Sequence, residues 1–152
     1  MRAVVQRVSS ASVEYDSEGK TVKNQIGKGF QVMLGISQED TKEDLVYIIE
    51  KIIGLRVFED SDGKMNLSIK DIGGEILLVS QFTLYGDARK GRRPSFSDAA
   101  RPEIATPLYE AAIDAITSHK IHCETGLFGA DMQVNINNDG PVTILLDSTK
   151  LF

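Results

Sequence analysis

At 152 residues, 41% hydrophobic and 26% charged, the chain is long enough to bury one core and too apolar to be disordered throughout. Its formal charge of −5 excludes a protein that grips nucleic acid with its whole surface, so any such contact has to be local. A single cysteine, Cys123, excludes an internal disulfide and a cysteine-built metal site.

No internal repeat, low-complexity tract or linker interrupts the chain, and one domain over 1–152 is expected. The opening MRAVVQRVSSASV has no apolar run of the about 7–15 residues of a secretory leader or the about 20 of a membrane span. With the lone cysteine, this leads to the expectation of a cytoplasmic protein that does not engage a membrane.

The first third reads as β-rich, with short valine-enriched strands at 3–9 and 12–15. A buried strand is expected at 30–36 (FQVMLGI), punctuated by Gly27, Gly29 and Gly35. A helix follows, because Leu45, Ile48, Ile49, Ile52 and Ile53 recur along one face of a 3.6-residue period. Thr41 is its expected N-cap, Asp44 falls in a capping-box position, and Gly54 is a plausible stop. The acidic run from Asp60 to Lys64 lacks the ligand spacing of a calcium loop and reads as a tight hairpin turn at Asp62 and Gly63.

EILLVSQFTL at 75–84 reads as a strand buried on both faces that turns polar as it ends. The stretch at 86–101 (GDARKGRRPSFSDAAR) has no apolar period and reads as a loop of net charge +3, which leaves −8 for the rest. A second helix is expected from Pro107, capped by Thr106, with Leu108, Tyr109, Ala112, Ile113 and Ile116 as its stripe and an end near His119. Met132, Val134 and Ile136 then alternate with polar residues as in a strand. NDGP at 138–141 reads as a turn, and VTILLD at 142–147 as a further strand. The pattern predicts an α+β fold, largely antiparallel sheets forming a barrel-like core with two packed helices.

Ordinary hydrolytic machinery is absent. His119 and His122 straddle a helix end, Cys123 and His122 point to opposite sides of a strand, and no G-x-S-x-G elbow occurs. Two segments remain. SQFTL at 80–84 is either a strand emerging into solvent or a site built at a strand end. NDGPVT at 138–143 is either a hairpin connection or, if the Gly140–Pro141 peptide is cis, a pair of carbonyls facing the same way.

Together, MRAVVQRV at the start, SQFTL at 80–84, GLFGADM at 126–132 and NDGPVT at 138–143 resemble the D-aminoacyl-tRNA deacylases, the D-tyrosyl-tRNA deacylase family. KGRRPSF at 90–96 is similar to that family too, and the likeness runs from residue 1 to about 148. The resemblance implies a homodimer with active sites at the subunit interface. It implies hydrolysis of the ester between a D-amino acid and tRNA, as a chiral check on translation, without metal or cofactor. Ser80, Gln81, Phe82 and Thr83 would form the catalytic segment, which with Leu84 lines a pocket for the 3′-terminal adenosine. Gly140 and Pro141, joined by a cis peptide and held by Arg7, would reach into the partner's site. Met132 and Asn138 complete the expected substrate-binding set, and Arg89, Lys90, Arg92 and Arg93 the tRNA-binding one.

On that basis two main-chain carbonyls would accept from the substrate's α-ammonium. With ammonium and ester both fixed, a D side chain points to solvent and an L side chain into the wall. Glycine escapes this rejection, so glycyl-tRNA is an expected substrate. Backbone N–H groups near Gln81 and Phe82 are expected to stabilise the oxyanion, and the tRNA 2′-OH to help activate water. Thr83, with no base beside it, is expected to position rather than attack. A non-catalytic RNA-binding module and a general esterase are the rivals. Acidic charge weighs against the first and the missing triad against the second.

Overall fold

The computed structural model describes residues 1–151. Its first three elements are antiparallel strands, β1 (Arg2–Ser17), β2 (Lys20–Ile26) and β3 (Gly29–Gly35). The two valine-rich runs thus form one strand of 16 residues, and the polar step between them, Ser9 and Ser10, coincides with a pairing irregularity. This length lets β1 serve two neighbours on one edge, β3 along its first half and β2 along its second. On the other edge runs β8 (Gln133–Asp147), again antiparallel.

α1 (Lys42–Gly54) buries the five expected apolar residues. At its start the Asp44 carboxylate accepts from the Thr41 N–H and hydroxyl, both at 2.9 Å. Each such isoleucine or leucine contributes about 1.5–3 kcal/mol on burial. A short hairpin follows, β4 (Phe58–Glu59) and β5 (Met65–Leu67). Its turn has the expected form: Asp60 Oδ1 accepts from the N–H groups of Asp62 and Lys64, and Gly63 takes a φ of +71°.

β6 (Glu75–Ser80) lies parallel to β3, and β7 (Cys123–Thr125) parallel to β6. The sheet is therefore mixed rather than largely antiparallel. The apolar run Ile76, Leu77, Leu78, Val79 is buried throughout, as a strand covered on both faces must be. Asn24 Nδ2 of β2 donates to the Thr125 carbonyl of β7 at 2.6 Å, which draws the sheet into a nearly closed barrel.

α2 (Pro102–Ser118) begins earlier than expected, with Arg101 as N-cap and Pro102 at the first helical position. Pro107 lies inside the helix. Both prolines suit a first turn, and the structure uses the earlier one. The N–H that Pro107 lacks would have met the Glu103 carbonyl, in an exposed turn where water can serve instead. α1 and α2 cover one face of the sheet in a core that includes Val5, Phe30, Ile76, Ile52 and Ile116. On the other face Val8, Ala11, Val13, Ile26, Leu77 and Val79 form a second, smaller cluster. Among the described residues no helix is long and apolar enough to cross a membrane.

Candidate active site

β6 does not run on through 80–84 as expected. It ends at Ser80, and Phe82–Tyr85 forms a 3₁₀ turn. The parallel ends of β3 and β6, the first turn of α2 and the 128–132 loop together enclose a pocket of about 460 Å³. Ser80, Gln81, Phe82 and Met132 line it. Leu34, Ile36, Val79 and Val134 supply apolar wall, and Ala100, Pro102 and Ala105 form the helix side. Asp131 is the one charged lining residue.

The loop is held by Phe128, whose ring lies 5.8 Å from that of Tyr109, and Tyr109 donates in turn to the buried Leu78 carbonyl at 2.8 Å. Gly126 meets Met132 so closely that a Cβ there would collide with the sulfur. Two glycines of the GLFGADM segment thus frame the pocket: Gly126 by its lack of a side chain, Gly129 by a positive φ of +77°.

The other expected residues divide. Thr83 is exposed, and its hydroxyl contacts the Gln81 side-chain amide rather than any base. Leu84 does not line the pocket. Its side chain packs on Gly35, where a Cβ would lie 3.0 Å away, and its carbonyl accepts from Arg2 at 3.0 Å. Of the two N–H groups expected to stabilise an oxyanion, that of Gln81 is committed to the Leu34 carbonyl at 2.8 Å, whereas that of Phe82 opens the 3₁₀ turn without an acceptor in it.

Arg7, Asn138, Gly140 and Pro141 gather elsewhere, on a bulge. The segment 138–143 is not a hairpin: β8 stays paired with β1 on both sides of it. The register passes from Val8 opposite Asn138 to Gln6 opposite Thr143, so residues 139–142 face Arg7 alone. Asn138 closes the bulge, accepting from the Val142 N–H at 2.9 Å and donating to the Thr143 hydroxyl at 3.2 Å. Arg7 is only 6% exposed. Its Nε donates to the Asp139 carbonyl at 3.1 Å, and its Nη1 to the Val57 carbonyl at 2.6 Å. Gly140 has a φ of +124°, and a Cβ there would lie 2.8 Å from Val142 and 3.0 Å from the Arg7 guanidinium, so no other residue fits. Gly140 and Pro141 are exposed at the crest, and the peptide between them is cis. Neither lines the pocket of its own chain.

The histidines and Cys123 take no part. His119 faces Lys70 at 3.0 Å and His122 faces Glu124 at 2.9 Å, beside a separate cleft. Burial, with the Glu124 carboxylate adding to it, pushes the Cys123 thiol up to about 12, so at neutral pH it is not a thiolate. Among the described residues no group of three or more His, Cys, Asp or Glu is placed to hold a metal ion. Lys90, Arg92 and Arg93 stand exposed on the 86–101 loop, whereas Arg89 is tied to Asp87 at 2.8 Å.

Sequence reasoning missed the helix side of the pocket, since placing the start of α2 at Pro107 hid Pro102 and Ala105. Asp131 was legible only as part of a motif.

Fold and pocket define a small barrel-like α+β protein whose site offers main-chain and amide groups in place of a nucleophile–base pair. The chain belongs to the D-Tyr-tRNA(Tyr) deacylase family, whose model matches residues 4–147. It is 59% identical to the D-aminoacyl-tRNA deacylase of Thermosipho africanus over 152 residues, all of both chains. Among solved structures it is similar to a c-Myc DNA unwinding element binding protein, with a TM-score of 0.87, 45% identity and 97% and 98% of the two chains covered. A probable eukaryotic D-amino acid tRNA deacylase shares the fold at 17% identity, with a TM-score of 0.79 over 95% and 97% of the chains.

Proposed function

We propose that this protein hydrolyses the ester of D-aminoacyl-tRNA, and of glycyl-tRNA, releasing the amino acid and tRNA. The observation that carries the reading is the crest at Gly140 and Pro141, held out by the buried Arg7 guanidinium and left out of the strand ladder. Main-chain carbonyls on such a rigid crest suit capture of an α-ammonium, because they accept without engaging any side chain. The pocket bordered by Ser80, Gln81 and Phe82 takes the 3′-terminal adenosine. The Phe82 N–H stabilises the oxyanion, a type of interaction whose removal costs about 100- to 1000-fold in rate. Gln81 holds the Thr83 hydroxyl as a positioning group, and the tRNA's own 2′-OH assists the attacking water. Met132 shapes the pocket, Leu84 packs behind it on Gly35, and Asn138 fixes the crest. Handedness is then judged by shape, since the wall excludes an L side chain and glycine has none to exclude.

The protein acts as a homodimer, one subunit's crest completing the other's pocket. Support comes from the crest and the pocket being separate features of a single chain. It works as a single domain, in the cytoplasm, on tRNA reached through Arg89, Lys90, Arg92 and Arg93. Matched D-, L- and glycyl-tRNA separate the possibilities. Cleavage of D and, more weakly, glycyl with L spared is the expected result; equal cleavage of D and L, or none of either, overturns it.

A further inference from the structure

Two phenylalanine rings stand in solvent at the rim of the pocket. Phe82 is 57% exposed and Phe96 37%, although burying such a ring ordinarily stabilises by about 1.5–3 kcal/mol. They meet at 5.1 Å between centroids and at 72°. An edge-to-face contact covers at most one face of one ring, and part of each ring stays open to solvent. The loop is built to seat them. Gly86 turns the chain beneath Phe96, where a Cβ would lie 3.0 Å from the ring and 3.0 Å from the Thr83 carbonyl. Asp87 and Ser95 then exchange backbone hydrogen bonds at 2.8 and 2.9 Å, closing the loop immediately before Phe96.

The loop so closed carries Lys90, Arg92 and Arg93, which have no carboxylate partner among the described residues. An unneutralised cationic arc on an acidic protein, ending on exposed aromatic rings beside the pocket, is the combination that holds single-stranded nucleic acid. A duplex fits it less well, because paired and stacked bases offer no free face.

Resting on the hydrolase reading above, we infer that Phe96 stacks the penultimate base of the single-stranded tRNA 3′ end, the nucleotide next to the adenosine in the pocket. Lys90, Arg92 and Arg93 hold the phosphates on its 5′ side. An enzyme that must ignore the identity of the amino acid has to draw its binding energy from the part of the substrate that every substrate shares. A stacked base meets that need, since every base has a π-face.

The test compares D-aminoacyl esters of adenosine, of the dinucleotide cytidylyl-adenosine and of full tRNA. The wild-type protein gains roughly 5- to 150-fold in kcat/KM from adenosine to dinucleotide, the range of one stacked base. Phe96→Ala loses this gain. Phe96→Leu, which keeps apolar bulk over Gly86, loses it too, while Phe96→Trp retains it. All three cleave the adenosine ester as the wild type does. A wild type without the gain, or a gain that survives in both Phe96→Ala and Phe96→Leu, overturns the assignment and leaves the hydrolase reading standing. An equal loss on the adenosine ester shows that the ring only shapes the pocket, and also overturns it. Failure of the wild type on all three substrates removes the hydrolase reading and this inference with it.

Discussion

Arg7→Ala is the substitution with the most to reveal about the crest. The side chain makes two charge-assisted hydrogen bonds to carbonyls, at 3.1 Å to Asp139 and 2.6 Å to Val57. Bonds to charged groups contribute about 1.5–3 kcal/mol each. The exposed Asp139 carbonyl recovers water on truncation, and relief from burying a guanidinium offsets part of the loss. The net cost is then about 2–4 kcal/mol, a fall of about 5–15 °C in Tm for a domain of this size. Activity falls by a comparable free energy, because a crest free to shift by about 1 Å costs on the order of 100-fold. Deacylation of D-aminoacyl-tRNA, run well below the variant's Tm, should therefore show kcat/KM reduced at least about 100-fold and a smaller ratio of D to L cleavage. Arg7→Lys falls between, since one ammonium cannot span two carbonyls that a planar fork bridges. A folded Arg7→Ala protein with wild-type kcat/KM and chiral ratio refutes the reasoning.

Gly140→Ala places a Cβ against both Val142 and Arg7 at a φ that L residues rarely adopt. We expect about 1–3 kcal/mol of lost stability, read by thermal melting, and a larger proportional loss of deacylation. Neutralising Lys90, Arg92 and Arg93 together raises KM for tRNA. It also lowers the slope of log binding against log salt by about one for each phosphate that goes unneutralised, measured by titration over salt. Arg89→Gln changes that slope less, because Asp87 already neutralises it and is held at about 2, first by its hydrogen bond from the Arg89 side chain. Cys123 supplies a pH prediction. With its thiol pushed up to about 12, the folded state keeps a proton that the unfolded state releases near about 8.5. Its contribution to stability is whole below that pH and is lost as pH rises towards the folded value. At pH 8 iodoacetamide should alkylate native Cys123 far more slowly than the denatured chain, and equal rates would count against its burial.

Where one physical signal dominated, the sequence was a good guide. The 45, 48, 49, 52, 53 stripe defines α1 because nothing competes with its period. Asp62 and Gly63 define a turn because backbone conformation there is a matter of local chemistry. Two further features depend on partners distant in the chain. The polar residues between 3–9 and 12–15 look like a break, yet β1 continues through them because β8 pairs along both halves. NDGP has the composition of a turn, but β1 templates β8 on either side, so the extra residues leave the ladder as a bulge. The parallel pairing of β3 with β6 is likewise invisible to alternation, since a doubly covered strand shows none. As for the candidate site, SQFTL was legible as a strand end, but its division was not. Which members line the pocket and which pack on Gly35 depends on the 3₁₀ turn. Arg7 reads as one more polar residue of an alternating strand until the bulge opposite it is seen.

A crystal structure of the protein with an adenosine carrying a D-amino acid in a non-hydrolysable 3′-amide tests the central claim most directly. We predict the ligand's α-ammonium within about 3 Å of the Gly140 and Pro141 carbonyls of the partner subunit, with the acyl oxygen at the Phe82 N–H. An α-ammonium bound instead to Asp131, with the crest turned away from the ligand, would contradict the account.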